Sequence, residues 1–267
     1  MADSLHIDPD SRLGKAISKS RYEAKYLVSN ATAEAIRRYI QPWAVPDPYA
    51  ARDPEHSYRI SSLYLDNPGV QLFRETREGR ENRIKLRIRS YSQDEEAPVF
   101  LEIKRRLNRV VHKSRVPVAR DLARDLLDRR FHELDLEGAI LEDGLEFLRL
   151  SERLNARPVV HIGYRRQAYI GRYHPGTRVT FDRELSWGAP GRHDVLVPDT
   201  DTWPIEDVRV VLELKFNRML PGWMQQVIRR FNLNRISFSK YGTAVRMSGT
   251  RRWGYSSYLS RNRVDAP

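Results

Sequence analysis

Polar and apolar residues alternate without exception in Arg83-Ile84-Lys85-Leu86-Arg87-Ile88-Arg89. A period of two predicts a strand with Arg83, Lys85, Arg87 and Arg89 on one face and the three aliphatic residues on the other. Similar signals, rich in β-branched and aromatic residues, predict strands at Arg21–Val28, Tyr58–Leu65, Val99–Arg105, Val110–Val118, Val159–Ile170, Arg178–Leu185 and Val208–Phe216. Helical spacing appears elsewhere. Ala31–Ile40 reads as a helix with Ser29 or Asn30 as its N-cap. Residues 120–155 read as two helices broken near Gly138, and Pro221 opens a helix through Phe231. A last helix begins near Ser237 or Ser239, while Pro42, Pro46, Pro48 and Pro54 mark an irregular connection. Strands and helices do not alternate as in βαβ units, so the expected class is α+β with a mainly antiparallel sheet, open or closed on itself.

The chain has 267 residues, of which 40% are hydrophobic, enough for a substantial core. Residues 1–20 are expected to form a loose leader, 21–248 one folded domain, and 249–267 a basic tail. Lys and Arg outnumber Asp and Glu by 47 to 35, a formal net charge of +12. This excess points to an anionic partner. Cysteine is absent, which excludes disulfides, thiolate metal sites and cysteine nucleophiles. No apolar run reaches the ~18 residues of a membrane span, and Met1–Lys15 lacks a signal-like apolar core. A cytoplasmic protein with no membrane span is expected.

The placement of the charges narrows the partner. Glu-x-Lys recurs on strands three times, as Glu23/Lys25, Glu102/Lys104 and Glu213/Lys215, and Arg178, Thr180 and Asp182 share a further face. One reading is the solvated outer face of a half-buried sheet. The other is the interior of a site for polyphosphate and a divalent cation, because carboxylates hold Mg²⁺ or Mn²⁺ while Lys and Arg neutralise phosphate oxygens. Two like charges 8 Å apart repel by roughly 2 kcal/mol at an effective dielectric near 20. An enclosed row of cations is therefore a binding device rather than a stabilising one.

The segments Arg-Tyr-Glu-Ala-Lys-Tyr (21–26), Ser-Leu-Tyr-Leu-Asp-Asn (62–67), Lys-Leu-Arg-Ile-Arg (85–89), Leu-Glu-Ile-Lys (101–104), Tyr-Arg-Arg-Gln-Ala-Tyr (164–169), Arg-Val-Thr-Phe-Asp (178–182), Leu-Glu-Leu-Lys-Phe (212–216), Pro-Gly-Trp (221–223) and Ser-Phe-Ser-Lys-Tyr (237–241) together resemble the VTC domain. This is the polyphosphate polymerase branch of the triphosphate tunnel metalloenzymes (the CYTH-like superfamily). The resemblance implies a closed eight-stranded antiparallel β-barrel tunnel with helices packed outside. It also implies Mn²⁺ or Mg²⁺ as cofactor, and transfer of the γ-phosphate of ATP to a growing inorganic polyphosphate chain. Carried over by position, Lys25, Arg87, Arg89, Lys104, Arg166, Arg178, Lys215 and Lys240 would act on the transferred phosphates. Lys85, Lys113 and Ser239 would bind phosphate. Glu213 would be the main metal ligand, with Glu23 and Glu102 as further acidic candidates. The wider superfamily opens with Glu-x-Glu-x-Lys; here Arg21 stands first, which suits the polymerase branch better than a two-metal hydrolase.

The expected partners are ATP, pyrophosphate or triphosphate, and inorganic polyphosphate. The acceptor phosphate is already an anion, so no general base is needed, in keeping with the lack of an evident Ser/His/Asp set. The alternatives are a metal-dependent tripolyphosphatase or nucleoside triphosphatase at the same site, and a non-catalytic polyphosphate or nucleic-acid binder. Nucleic acid is disfavoured because the Arg83–Arg89 face carries no aromatic residue. Tyr64 and Asp66 could line the site or close a turn, and Trp223 could anchor a helix or stack on ligand.

Overall fold

The computed structural model describes residues 21–107, 110–128, 142–174, 176–190, 202–205, 209–217 and 219–252. The expected leader, the Gly138 break and the tail beyond Arg252 lie outside them. Ten strands form one sheet: β1 (Arg21–Val28), β2 (Ala44–Pro46), β3 (Ser57–Asp66), β4 (Arg83–Ser90), β5 (Val99–Leu107), β6 (Val110–Val118), β7 (Arg157–Gly171), β8 (Arg178–Gly188), β9 (Thr202–Pro204) and β10 (Val210–Asn217). Six α-helices accompany them: α1 (Asn30–Tyr39), α2 (Gln71–Arg77), α3 (Arg120–Leu127), α4 (Glu142–Arg153), α5 (Gly222–Arg230) and α6 (Lys240–Arg252).

The main strand order is β1-β10-β8-β7-β3-β4-β5-β6, with β2 paired to β7 and β9 to β8, every pairing antiparallel. The expected closed barrel does not form. β1 and β6 end the path without pairing to each other, so the sheet is open. The backbone explains this on both edges. The free edge of β1 is occupied at Lys25, whose carbonyl accepts from the Ile236 N–H at 2.9 Å. β6 carries Pro117, which has no N–H to donate and suits an edge strand. The sheet nevertheless curls far enough for Lys104 on β5 to reach Glu23 on β1, at 3.4 Å. The result is a deep concave face rather than a tunnel.

Two cores lie behind the sheet. Tyr26, Leu212, Leu214, Val179 and Phe181 project from β1, β10 and β8 against Ala33 and Ile36 of α1 and Met224 and Val227 of α5. Fully burying a side chain such as Ile36 or Leu212 contributes roughly 2 kcal/mol. The side chain of Ser29 caps α1 by accepting from the Thr32 N–H at 3.0 Å. Trp223 belongs to this core, stacked on Trp43 with centroids 6.3 Å apart. Behind the other half, Leu86, Ile88, Leu101, Ile103 and Val116 pack on Ala123 and Leu126 of α3 and Phe147 and Leu150 of α4.

A third core lies inside the curl. Ile60, Tyr64, Val160, Ile162, Trp187 and Val211 pack against Tyr241, Ala244 and Val245 of α6. The expectation that the helices pack outside therefore fails for α6, which fills part of the concavity. Asp66 fixes this plug. It accepts from the Leu72 and Phe73 N–H groups, both at 2.9 Å, at the start of α2, and from the Tyr241 hydroxyl at 2.6 Å. The same bonds tether α2 beside Val70, whose left-handed φ of 48° is costly for a β-branched residue. Asp66 is thus a structural hub rather than a ligand of the open space.

Candidate functional site

Strand register, not sequence proximity, assembles the concave face. On one wall, Tyr64, Arg87, Glu102 and Arg115 form a row across β3, β4, β5 and β6, and Lys85, Lys104 and Lys113 form the next row. On the other, Lys25, Glu213 and Thr180 align across β1, β10 and β8, with Glu23, Lys215 and Arg178 beside them. A third row joins Tyr58, Arg166, Asp182 and Val211. Arg83 lies in the same alternation but at the outer end, where it donates to the Arg80 carbonyl.

Glu213 is only 4% exposed and sits among cations: Lys215 at 2.9 Å, Lys240 at 3.4 Å, Lys25 at 3.7 Å and Arg166 at 3.9 Å. Burial alone would raise its pKa; these cations overcome burial and hold the carboxyl well below its usual range. Asp182, fully buried, takes both arms of Arg166 at 2.6 and 2.7 Å and Lys240 at 2.6 Å, and its pKa is likewise lowered against burial. Lys240 is raised in return, because Asp182 and Glu213 outweigh its own desolvation. Glu23 contacts Lys25 at 3.1 Å and Lys104 at 3.4 Å. Burial and Glu213 push it up, yet Lys215, Lys25 and Lys104 bring it to about 2. The Lys25 amine is raised despite desolvation by Glu213 and Glu23, and it also donates to the Phe238 carbonyl at 3.1 Å.

Across the trough, one carboxylate serves several cations. Glu102, 1% exposed, receives Arg87 at 2.6 Å, Lys113 at 2.8 Å, Arg115 at 3.5 Å and Arg89 at 3.7 Å. Its pKa is depressed, with Arg87 and Arg89 overriding burial. Lys85 has no carboxylate within ion-pair distance among the described residues. It donates to the Ser239 hydroxyl at 3.0 Å, while burial first and then Lys25, Lys104, Arg83 and Arg87 push its pKa well below the usual lysine value. Burial also lowers Lys104 despite Glu23, and takes Lys113 to about 7 despite Glu102. Ser239 in addition accepts from the Gly242 N–H at 3.1 Å, capping α6 so that this helix begins at the trough with its positive end.

All the sequence-predicted cations except Arg178 meet in this central network. Arg178 lies toward one end, anchored to Asp47 at 2.6 Å and to the Tyr58 hydroxyl at 3.1 Å. Among the acids, Glu213 and Glu23 share Lys25, whereas Glu102 is walled into the opposite side by its own arginines. The residues that sequence reasoning missed are Tyr164 and Arg115, while Tyr64, expected either to line the site or to close a turn, is bonded to Arg87. Tyr164 accepts from Arg89 at 3.2 Å and lies under Arg166 and Lys240, 5.2 and 4.9 Å from its centroid. Tyr64 accepts from Arg87 at 2.9 Å, and Arg87 and Arg89 lower its pKa against full burial. Both tyrosines have the parity of the basic rows, which was the available signal. Arg115 has that parity too, two residues beyond Lys113.

The VTC domain matches residues 20–248 of the chain. This protein belongs to the VTC-domain family. Among solved structures, it is similar to a putative adenylate cyclase from Bacillus halodurans at 15% identity, covering 83% of this chain and 94% of that one, with a TM-score of 0.47. PH1819 from Pyrococcus horikoshii OT3 is similar at 13% identity over 83% and 95%, TM-score 0.43. The capping enzyme triphosphatase of Mimivirus is similar at 8% identity over 81% and 90%, TM-score 0.35. The search of curated proteins gives no match. Membership of the VTC family supports an enzyme acting on phosphoanhydrides, by transfer or by hydrolysis. No described helix is long and apolar enough to cross a membrane.

Whether this VTC domain suits a divalent cation can be judged from its donors. Among the described residues, no group of three or more His, Asp and Glu converges as a self-sufficient metal cage. Glu213 and Glu23 do converge, and the Thr180 hydroxyl, register partner of Glu213, is buried with no hydrogen-bond partner among the described residues. One or two carboxylates with spare oxygen donors is the set that Mg²⁺ or Mn²⁺ uses when phosphate supplies the remaining ligands. The residues fit such a cation. Glu102 does not share this site.

Proposed function

We propose that the concave face binds a nucleoside triphosphate, ATP, and transfers its γ-phosphate to a growing inorganic polyphosphate chain. The observation that carries this reading is the row Lys85, Lys104 and Lys113 beside Arg87 and Arg89: clustered cations, from buried Arg89 to exposed Lys113, in excess of the carboxylates that pair with them. Such a row is strained when empty and relieved by a polyanion. An extended trough suits a linear polymer, since each added phosphate meets a further cation along the strand direction.

In this account Arg87, Arg89 and Arg166 hold the triphosphate through their planar forks, pre-aimed by Glu102, Tyr64, Tyr164 and Asp182. Lys25, Lys215 and Lys240 neutralise charge that builds on the transferring group, from positions already fixed by Glu213 and Asp182. Lys85, Lys104, Lys113 and Ser239 line up the polymer so that its terminal phosphate oxygen attacks in line. Arg178 steadies the phosphates nearest its end. Glu213 and Glu23 would hold Mn²⁺ or Mg²⁺, which supplies further charge neutralisation at phosphate oxygens. No side chain needs to abstract a proton.

Incubation with ATP and Mn²⁺, read by gel staining for long anionic polymer beside a free-phosphate assay, tests the reading. Polymer without matching phosphate release is expected. Phosphate release without polymer would instead make the protein a triphosphatase, and neither product would leave it a binder.

A further inference from the structure

Beyond the phosphate-binding rows, one end of the trough carries aromatic rings. Tyr49, Tyr58 and Tyr91 lie within 6.1 to 6.3 Å of one another, centroid to centroid, and Tyr91 meets Phe100 edge to face at 5.5 Å. Tyr58 and Phe100 project from the inner face of the sheet, in the same rows as Arg166 and Arg89. Tyr49 comes from outside the sheet, on the loop after β2. Asp47 places it there: its Oδ1 accepts from the Tyr49 and Ala50 N–H groups at 3.1 and 2.7 Å, while its Oδ2 binds Arg178. The loop bearing the ring is thereby tied to an arginine of the trough.

The cluster is not a closed core. Tyr49 is 59% exposed, although its ring is near parallel to that of Tyr91, at 22°, and the Arg52 guanidinium lies 5.5 Å from its centroid, a cation that an incoming base would displace or stack beside. It is also joined to cations. The Arg115 guanidinium lies 3.7 Å from the Phe100 centroid and 5.0 Å from that of Tyr91, and Arg89 lies 5.9 Å from Tyr91. Nothing in the binding of a bare phosphate chain calls for an exposed aromatic ring here. A ligand with a planar, electron-rich ring at one end and several negative charges at the other matches both halves of the arrangement.

We infer that this aromatic end is a nucleobase platform, on which the base of a nucleoside triphosphate stacks against Tyr49 while its phosphates enter past Arg115 and Arg178. The inference deepens the proposed function and rests on it: it assigns the end by which donor nucleotide is distinguished from polymer. Stacking is available to every base, so the platform selects nucleotide over inorganic triphosphate without separating ATP from GTP.

Calorimetric titration in EDTA, which holds off metal-dependent turnover, tests it with ATP, GTP and inorganic tripolyphosphate on the wild type, Tyr49→Ala and Tyr49→Phe. Loss of one base–aromatic stack weakens binding by about tenfold. We expect that loss for both nucleotides in Tyr49→Ala, near-complete retention in Tyr49→Phe, and tripolyphosphate affinity changed by less than about twofold in either. ATP binding unaffected by Tyr49→Ala, with tripolyphosphate still bound, overturns the platform and leaves the proposed function standing. Equal weakening of nucleotide and tripolyphosphate also overturns it, since the ring would then serve the trough as a whole. Failure of all three ligands to bind the wild type overturns both.

Discussion

On the β1–β10–β8 side of the concave face, Lys25, Lys215 and Lys240 each sit against Glu213, and Arg166 and Lys240 against Asp182. On the β4–β5–β6 side, Glu102 is the one carboxylate among the described residues that answers Arg87, Arg89, Lys113 and Arg115, while Lys85 faces other cations. Both walls are basic, and desolvation lowers the lysines on each, but the net outcomes are opposite. In the first, opposite charge outweighs desolvation and keeps Lys240 and Lys25 firmly protonated. In the second, desolvation wins and drives Lys85, Lys104 and Lys113 toward neutrality. A count of positive residues would miss this. On the first wall each lysine lies beside a carboxylate, whereas on the second several cations share Glu102 and Lys85 has no carboxylate within ion-pair distance among the described residues. On the proposed function the ligand would supply the missing negative charge.

The largest effect should come from removing two arginines of the Glu102 wall. Arg87→Ala with Arg89→Ala should reduce polymer synthesis by at least about a hundredfold, the scale for losing preorganised charge at a transferring group. Activity within a few-fold of wild type would break the account of the trough. On the paired wall, Glu213→Gln should abolish the response to Mn²⁺. It should also lower Tm by roughly 8 °C, because removing one partner of a buried charged network costs about 3 kcal/mol. A variant with wild-type metal response would remove Glu213 from that role.

A smaller effect sharpens the contrast through pH. Lys113 in the folded protein titrates near 7, below an unfolded lysine. Between these values the unfolded chain binds more protons, so this group makes stability rise with pH from about 7 upward and adds its full penalty below 7. Tripolyphosphate favours the charged amine, so binding at pH 7.5 should take up protons, detectable by titration in buffers of different ionisation heat. Proton release would contradict the assignment. Glu23, lowered to about 2, works in the other direction: its contribution is present above about 4.5 and is lost as pH falls through 2.

Much of the trough was legible in the sequence because period two is a local property. Arg83–Arg89 alternate, so their common face followed at once, and the repeated Glu-x-Lys pairs identified the inner sides of β1, β5 and β10. Closure was not legible, since it depends on whether two distant edges meet. Ile236, far along the chain, occupies the edge of β1 that a barrel would have used. The inward placement of α6 was equally hidden, because its apolar face (Tyr241, Ala244, Val245) looks the same whether it packs outside a sheet or within its curl. Strands β2 and β9 span three residues each, too few to show a period. Helix α2 was missed because its N–H acceptor, Asp66, lies before it on the end of a strand. Tyr49 reaches the trough through Asp47 and through ring contacts with Tyr58 and Tyr91, residues brought together by the fold rather than by sequence proximity.

The contrast between the walls is tested most directly by the melting temperature of Lys85→Met, with and without inorganic tripolyphosphate, at low salt. Removing a half-buried cation that lacks a carboxylate partner among the described residues, while keeping its aliphatic bulk, should raise Tm of the free protein by about 2–4 °C, the shift for about 1 kcal/mol. The further rise on adding tripolyphosphate should shrink to less than half that of the wild type. A Lys85→Met protein that melts lower than the wild type yet gains as much from tripolyphosphate would show that Lys85 is an ordinary structural residue, and that the ligand does not complete this wall.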